Sequence, residues 1–133
     1  MLPDRLKRNE DELSIIRKIV ESAHDRPVLM LNLSHYTPEA GFPNGDMYHR
    51  YSTGLEKFLA TVGARILWRL PVYGQAVGEH KVDEILAVWY PTHKSFLDLF
   101  TAPGAEENYR LRGLCVEHAV IHRCPGDRYP AAP

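Results

Sequence analysis

Apolar positions along the chain recur with two different periods, and the changes of period mark the elements. From Glu10 to His24 the period is helical. Leu13, Ile16, Ile19, Val20 and Ala23 form one stripe, Ser14, Lys18, Glu21 and Ser22 lie off it, and Ile15 is the one exception. Asn9 stands where an N-cap is expected, with Glu12 at capping-box spacing. Asp25-Arg26-Pro27 ends this helix, because the residue before a proline avoids helical conformation. Val28 to Leu33 (VLMLNL) is apolar at both parities, the pattern of a strand covered on both faces. The following HYTPEAGFPNG reads as a loop. Asp46 then caps a second helix, Met47 to Val62, with Met47, Tyr51, Leu55, Phe58, Leu59 and Val62 as its stripe and Gly63 as its left-handed C-terminal cap.

Ala64 to Val77 alternates as a strand. Ile66, Trp68 and Leu70 point one way, Arg65, Leu67 and Arg69 the other, and Pro71 argues for an edge or a bend. Gly78 to Asp83 is a polar turn and Glu84 to Tyr90 (EILAVWY) the next strand, so the two pair as a hairpin. Thr92 caps a third helix from His93 to Thr101, with Phe96, Leu97 and Phe100 inward. Ala102-Pro103-Gly104 interrupts it before a further helical piece, Ala105 to Val116. HAVIHR, His118 to Arg123, is the last strand, and CPGDRYPAAP reads as a loose tail.

The order is therefore a helix followed by β-α-β-β-α-β. That is the α+β, ferredoxin-like antiparallel sheet with an extra N-terminal helix. The chain divides into a helical extension (1–26), the sheet-and-helix domain (27–124) and a flexible tail (125–133). Two crossover helices cover one face of such a sheet, yet both parities of VLMLNL and EILAVWY are apolar. A second copy packing sheet against sheet, a homodimeric α/β barrel, is the simplest cover. The N-terminal helix competes for that role but is too narrow for four strands, and its expected place is the rim or the partner.

Composition narrows the functional classes. The 133 residues, 44% hydrophobic and 25% charged, suit one globular domain. With 16 basic against 17 acidic residues the net charge is −1, so nucleic acid is not an expected partner. No apolar run is long enough to cross a bilayer, so no membrane partner is expected. MLPDRLKRNEDEL lacks the apolar core of a secretory signal, and a cytoplasmic location is expected. Cys115 and Cys124 form no CxxC and read as reduced thiols. There is no P-loop, no G-x-S-x-G and no G-x-G-x-x-G.

The chemistry-bearing candidates are few. Asn32 is the strongly polar residue within VLMLNL, and a buried amide needs hydrogen-bond partners, so it is a candidate ligand-orienting group. His93 and His35 are candidate proton carriers, because imidazole titrates near neutrality. Arg69, sharing a face with Arg65, is a candidate clamp for a carboxylate. Tyr51 and Tyr48, with Tyr36, are candidates for the rim of the same cavity. His118 and His122 repeat at H-x-x-x-H spacing. On a strand they stand about 13 Å apart at ~3.3 Å per residue and cannot share one ion, so no metal site is expected.

PVLMLNL at 27–33, GARILWR at 63–69, DEILAVWYPTHKSF at 83–96 and the proline-broken helical stretch after them resemble the bacterial DUF1330 family of the dimeric α/β-barrel group. Thr92 stands where that family usually has serine, and Gly104-Ala105 where a Glu-Tyr pair is common. The resemblance implies the fold and the dimer, and no established activity. Some heme-degrading enzymes of the wider barrel group place an asparagine on the first strand, a tryptophan on the third and a histidine on the next helix. Asn32, Trp89 and His93 look similar in placement, with Trp89 a candidate substrate contact. The Trp89–His93 spacing is shorter than in those enzymes, so no heme and no other cofactor is expected. Two functions follow as expectations. One is a small enzyme acting on an organic molecule between sheet and helices. The other is a non-catalytic dimeric module that binds a small ligand with the same polar groups.

Overall fold

Val28–Tyr36 (β1), the run apolar at both parities, is a central strand of a four-stranded sheet in the computed structural model, which describes residues 6–128. Along the chain, Glu10–Glu21 (α1) precedes β1. A 3-10 turn at Pro38–Ala40, Asp46–Ala60 (α2), Arg65–Pro71 (β2) and Glu84–Tyr90 (β3) follow it. His93–Asp98 (α3), a 3-10 turn at Leu99–Thr101, Ala105–Cys115 (α4) and Val116–Pro125 (β4) complete the order. The spatial order is β2-β3-β1-β4 and every neighbouring pair is antiparallel. The two strands richest in large apolar residues thus take the two positions with neighbours on both sides.

All helices lie on one face. Val28 and Met30 of β1 and Leu86, Val88 and Tyr90 of β3 pack there against Leu59 of α2 and against Leu13 and Ile16 of α1. A second cluster joins Leu6, Tyr36, Tyr48, Tyr51, Leu111 and Cys115 at the other end of the same layer. Helix α1 rests against α3. It is tied to β4 by an Arg123–Glu12 ion pair, so it extends the helix layer and does not cross the opposite face. That face, built from Leu29, Leu31 and Leu33, Ile85, Ala87 and Trp89, and Trp68 and Leu70, carries no helix among the described residues. Trp68 and Leu70 are exposed on it.

Several boundaries differ from the sequence expectations. β1 continues three residues past Leu33, because Ser34 and Tyr36 keep the inward parity and are both buried. β2 stops at Pro71, short of Val77. A proline lacks the ladder N–H, and the bond that closes the hairpin next to it is made by Val72 N–H to the Asp83 carbonyl, 2.9 Å. A bulge between Ile66 and Trp68 overturns the expected pairing of Arg65 with Arg69 on one face. Arg69 lies opposite Leu86 on the helix side, whereas Arg65 lies opposite Trp89 on the open side, its guanidinium 5.2 Å from that ring. Gly45, not Asp46, is the N-cap of α2, and Asn9 makes no side-chain cap bond. Gly63 does adopt positive φ, 77°, and Thr92 accepts from Ser95 N–H as expected of a cap. The start of the expected tail is ordered: Pro125 belongs to β4, and Gly126 donates to the Pro27 carbonyl at 3.0 Å. Residues 129–133 of that tail lie outside the described residues.

Candidate functional site

Between the sheet and the helix layer the side chains do not close the interior. A cavity of about 390 Å³ lies under α1, and a smaller one of about 120 Å³ adjoins it toward α2 and α4. Both are bounded by Leu6, Met30, Phe96, Ile121, Arg8 and Arg112. The larger one lies within the ~300–1,000 Å³ range of small-molecule sites. Ile121 of β4 faces this space and is 43% exposed, an apolar wall only partly covered by the described chain.

Asn32 enters this space from β1. Its alternation with Met30 places it on the helix side, where it lines the smaller cavity. Its Nδ2 donates to the carbonyl of Met30 at 3.1 Å, the only hydrogen bond its side chain makes among the described residues. Arg112, from the last turn of α4, bounds both cavities. Its Nη1 donates to the Tyr51 hydroxyl at 2.8 Å, and it has no carboxylate partner among the described residues. Tyr51 thereby positions Arg112. Arg8 closes the other side: its guanidinium lies 3.7 Å from the Phe100 ring centroid and donates to the Tyr109 hydroxyl at 2.8 Å.

The remaining candidates lie elsewhere. Trp89 is on the open face, its Nε1 donating to the carbonyl of Gly126 at 3.1 Å. Asn32 stands opposite Leu86 and Trp89 opposite Leu29, so the two differ in face as well as in position along the sheet. His93 is buried at the start of α3. Asp25 receives its backbone N–H at 2.8 Å and that of Lys94 at 3.1 Å, so with Thr92 the first three donors of α3 are satisfied. The His93 Nδ1 faces two acceptors, Asp25 Oδ1 at 3.0 Å and the Arg26 carbonyl at 3.1 Å. The ring therefore donates from Nδ1, and among the described residues Nε2 is buried without a partner. Burial alone would raise the Asp25 carboxyl, but the backbone N–H groups of His93 and Lys94, with the His93 ring, hold it below the usual carboxylate range. His35 is at the opposite end of β1 on the open face. Its Nδ1 is 2.8 Å from Asp83 Oδ2, beside a surface groove of about 300 Å³. The structure brings together Asn32 and the Tyr51–Arg112 pair, and separates them from Trp89, His93 and His35.

Arg69 belongs to a polar cluster that the sequence reading left out. At its centre is Glu84, only 4% exposed, on the helix face of β3. It accepts from the Tyr36 hydroxyl at 2.6 Å and from the Tyr48 hydroxyl at 2.9 and 3.0 Å. Arg69 reaches its Oε2 at 4.0 Å and donates to the Ser52 hydroxyl. Phe42 stacks on Tyr36 and meets Tyr48 edge-on, sealing the cluster. Glu84 was legible as an anomaly, since it shares parity with Leu86, Val88 and Tyr90. Arg112 had no comparable signal, because α4 has only a weak apolar stripe.

Burial, reinforced by the Glu84 carboxylate, raises the Tyr48 phenol from 10 to about 12 and raises Tyr36 further. Burial raises Tyr90, against the Arg112 charge, which lowers it, and with smaller upward contributions from Tyr51 and Tyr109. A phenol whose folded pKa exceeds its unfolded value stabilises fully below the unfolded pKa, and that stability is lost as pH rises through the folded one. Urea midpoints are therefore expected to hold up to about pH 10 and fall steeply between 10 and 12. The Tyr36→Phe/Tyr48→Phe protein should show a shallower fall. An equally steep fall in both would mean that these phenols do not carry the effect.

Among the described residues no helix is long and apolar enough to cross a membrane, and no three His, Cys, Asp or Glu side chains are grouped to hold a metal ion. Fold and cavity together define a small α+β domain with an antiparallel sheet, helices on one face and an incompletely filled interior. No protein-family model matches the chain, and no curated protein matches it. Among solved structures it is similar to the RPA0582 protein of unknown function from Rhodopseudomonas palustris, with a TM-score of 0.73 and 20% identity over 98% of this chain and 100% of that one. The methylated form of RPA0582 gives a TM-score of 0.72 and 21% identity over 96% of each chain. At this identity the likeness establishes the fold.

Proposed function

We propose that this chain is a non-catalytic small-ligand-binding protein that works as a homodimer of ferredoxin-like domains, related to the DUF1330 family. One observation carries the binding reading: Asn32 and Arg112, the latter held by the Tyr51 hydroxyl, line one cavity whose Ile121 wall is partly exposed. None of the described residues around either cavity is a histidine, which argues against proton transfer by imidazole at this site. The β2-β3-β1-β4 order, with two helical crossovers on one face, supports the ferredoxin-like assignment. The family relation rests on where its motifs fall: PVLMLNL opens β1, GARILWR opens β2, and DEILAVWYPTHKSF spans β3 and the cap of α3. The dimer is supported by the helix-free apolar face and by segment 72–83, which holds Tyr73 and Val77 almost wholly exposed, 99% and 92%.

The test is native mass spectrometry of protein purified from its source. The expected result is a dimer carrying a noncovalent small molecule, retained by His35→Ala and lost from Asn32→Ala. A second reading, a proton-transferring enzyme, is favoured by the carboxylate-oriented His35–Asp83 pair beside its groove. Loss of the bound molecule from His35→Ala and not from Asn32→Ala would favour it over the first.

A further inference from the structure

We infer that the cavity takes an organic anion, a carboxylate on an apolar body, with Arg112 as the residue that receives the carboxylate. The inference rests on the binding reading above and deepens it. Arg112 is half-buried in the lining of both cavities, where a cation without a counter-ion is costly. A guanidinium has five donors in a planar fork. One, on Nη1, is used by Tyr51, and no carboxylate of the described residues pairs with it. Of the other cations lining the larger cavity, Arg123 pairs with Glu12, Lys7 also has an interaction, and Arg8 lies against the Phe100 ring and the Tyr109 hydroxyl. Fork geometry matches a carboxylate bidentately.

The rest of the lining defines the remainder of the ligand. Met30, Phe96, Phe58 and Ile121 make an apolar floor and wall, so a bare inorganic anion would leave them uncovered. Asn32 lies on the same floor and supplies an amide to orient a polar substituent. Tyr51 is a positioning residue here: its hydroxyl holds Arg112 and lines neither cavity. The larger cavity, about 390 Å³ and sharing Arg112, Met30, Phe96 and Ile121 with the smaller one that Asn32 and Phe58 line, has room for a molecule of fatty-acid fragment or aryl-alkanoate size.

Isothermal titration calorimetry on the full chain at neutral pH tests this with hexanoate, octanoate and hydrocinnamate, each against its primary alcohol. The acids are expected to bind about tenfold tighter or more, the weight of a charge-assisted hydrogen bond pair. Arg112→Met should bring the acids to the affinity of the alcohols and leave the alcohols unchanged. Arg112→Lys, which keeps a point charge without the fork, should keep part of the preference, and it decides the question if the methionine variant does not fold. Acids no tighter than alcohols, or a preference that survives Arg112→Met, would overturn the anion assignment and leave the cavity reading in place. Failure of every acid and every alcohol to bind would overturn both.

Discussion

Replacing Glu84 by alanine is expected to destabilise the protein by about 3–5 kcal/mol, the cost of removing one partner from a buried charged cluster. The carboxylate accepts from two phenols, Tyr36 at 2.6 Å and Tyr48 at 2.9 Å. Without it both hydroxyls remain in the layer between sheet and α2 with no acceptor, and each unsatisfied buried donor costs roughly 1–3 kcal/mol. Arg69, at 4.0 Å and partly exposed, adds less, because solvent screens it. Urea denaturation reads the loss directly. Glu84→Gln keeps an acceptor oxygen and should lose well under half as much. The decisive control removes both sides: Glu84→Leu with Tyr36→Phe and Tyr48→Phe should be closer to the native protein than Glu84→Ala alone. If that triple variant is the least stable of the set, hydrogen bonding is not what the cluster contributes.

Leu31→Arg should abolish the dimer proposed above, raising its dissociation constant about a hundredfold or more, the effect of losing a central hot-spot position. Leu31 stands opposite Ala87 and His122 in the middle of the helix-free face, so a charge there meets the partner sheet and not the core of its own chain. Leu70→Glu, at a position 55% exposed on the edge strand, tests the same face without any demand on folding. Lys57→Glu on the exposed side of α2 should change nothing. Sedimentation equilibrium at micromolar concentration measures all four proteins. A native chain that sediments at 15.2 kDa without concentration dependence would mean that the open face stays wet, and the dimer would have to be abandoned.

The elements themselves were legible from local chemistry. Period and parity located α1 to α3 and the strands, because an amphipathic stripe must bury its apolar side wherever it is. Thr92 and Gly63 marked helix ends through bonds and dihedrals made within a few residues. Boundaries failed where the deciding contact was distant. The bulge in β2 depends on its register with β3 and reverses Arg69 from a strand face shared with Arg65 to the Glu84 cluster. A period-two reading cannot anticipate one extra residue.

The candidate site divides along the same line. Asn32 and Tyr51 were identifiable, one as an amide in an apolar strand and the other on a helix stripe, and both do meet the interior. Their partner Arg112 was not, since it comes from a weakly patterned helix and its role exists only because α4 brings it beside Tyr51, 61 residues away in sequence. His93 sits at the start of α3, His35 at the far end of β1, and Trp89 on the open face of the sheet. By itself the sequence determined which segments become helix or strand and which faces are apolar, since these follow from each residue's own solvation and its near neighbours. Only the tertiary structure decided which polar groups share a cavity, because that depends on strand register, one bulge and the docking of α1, all set by packing between segments far apart in the chain.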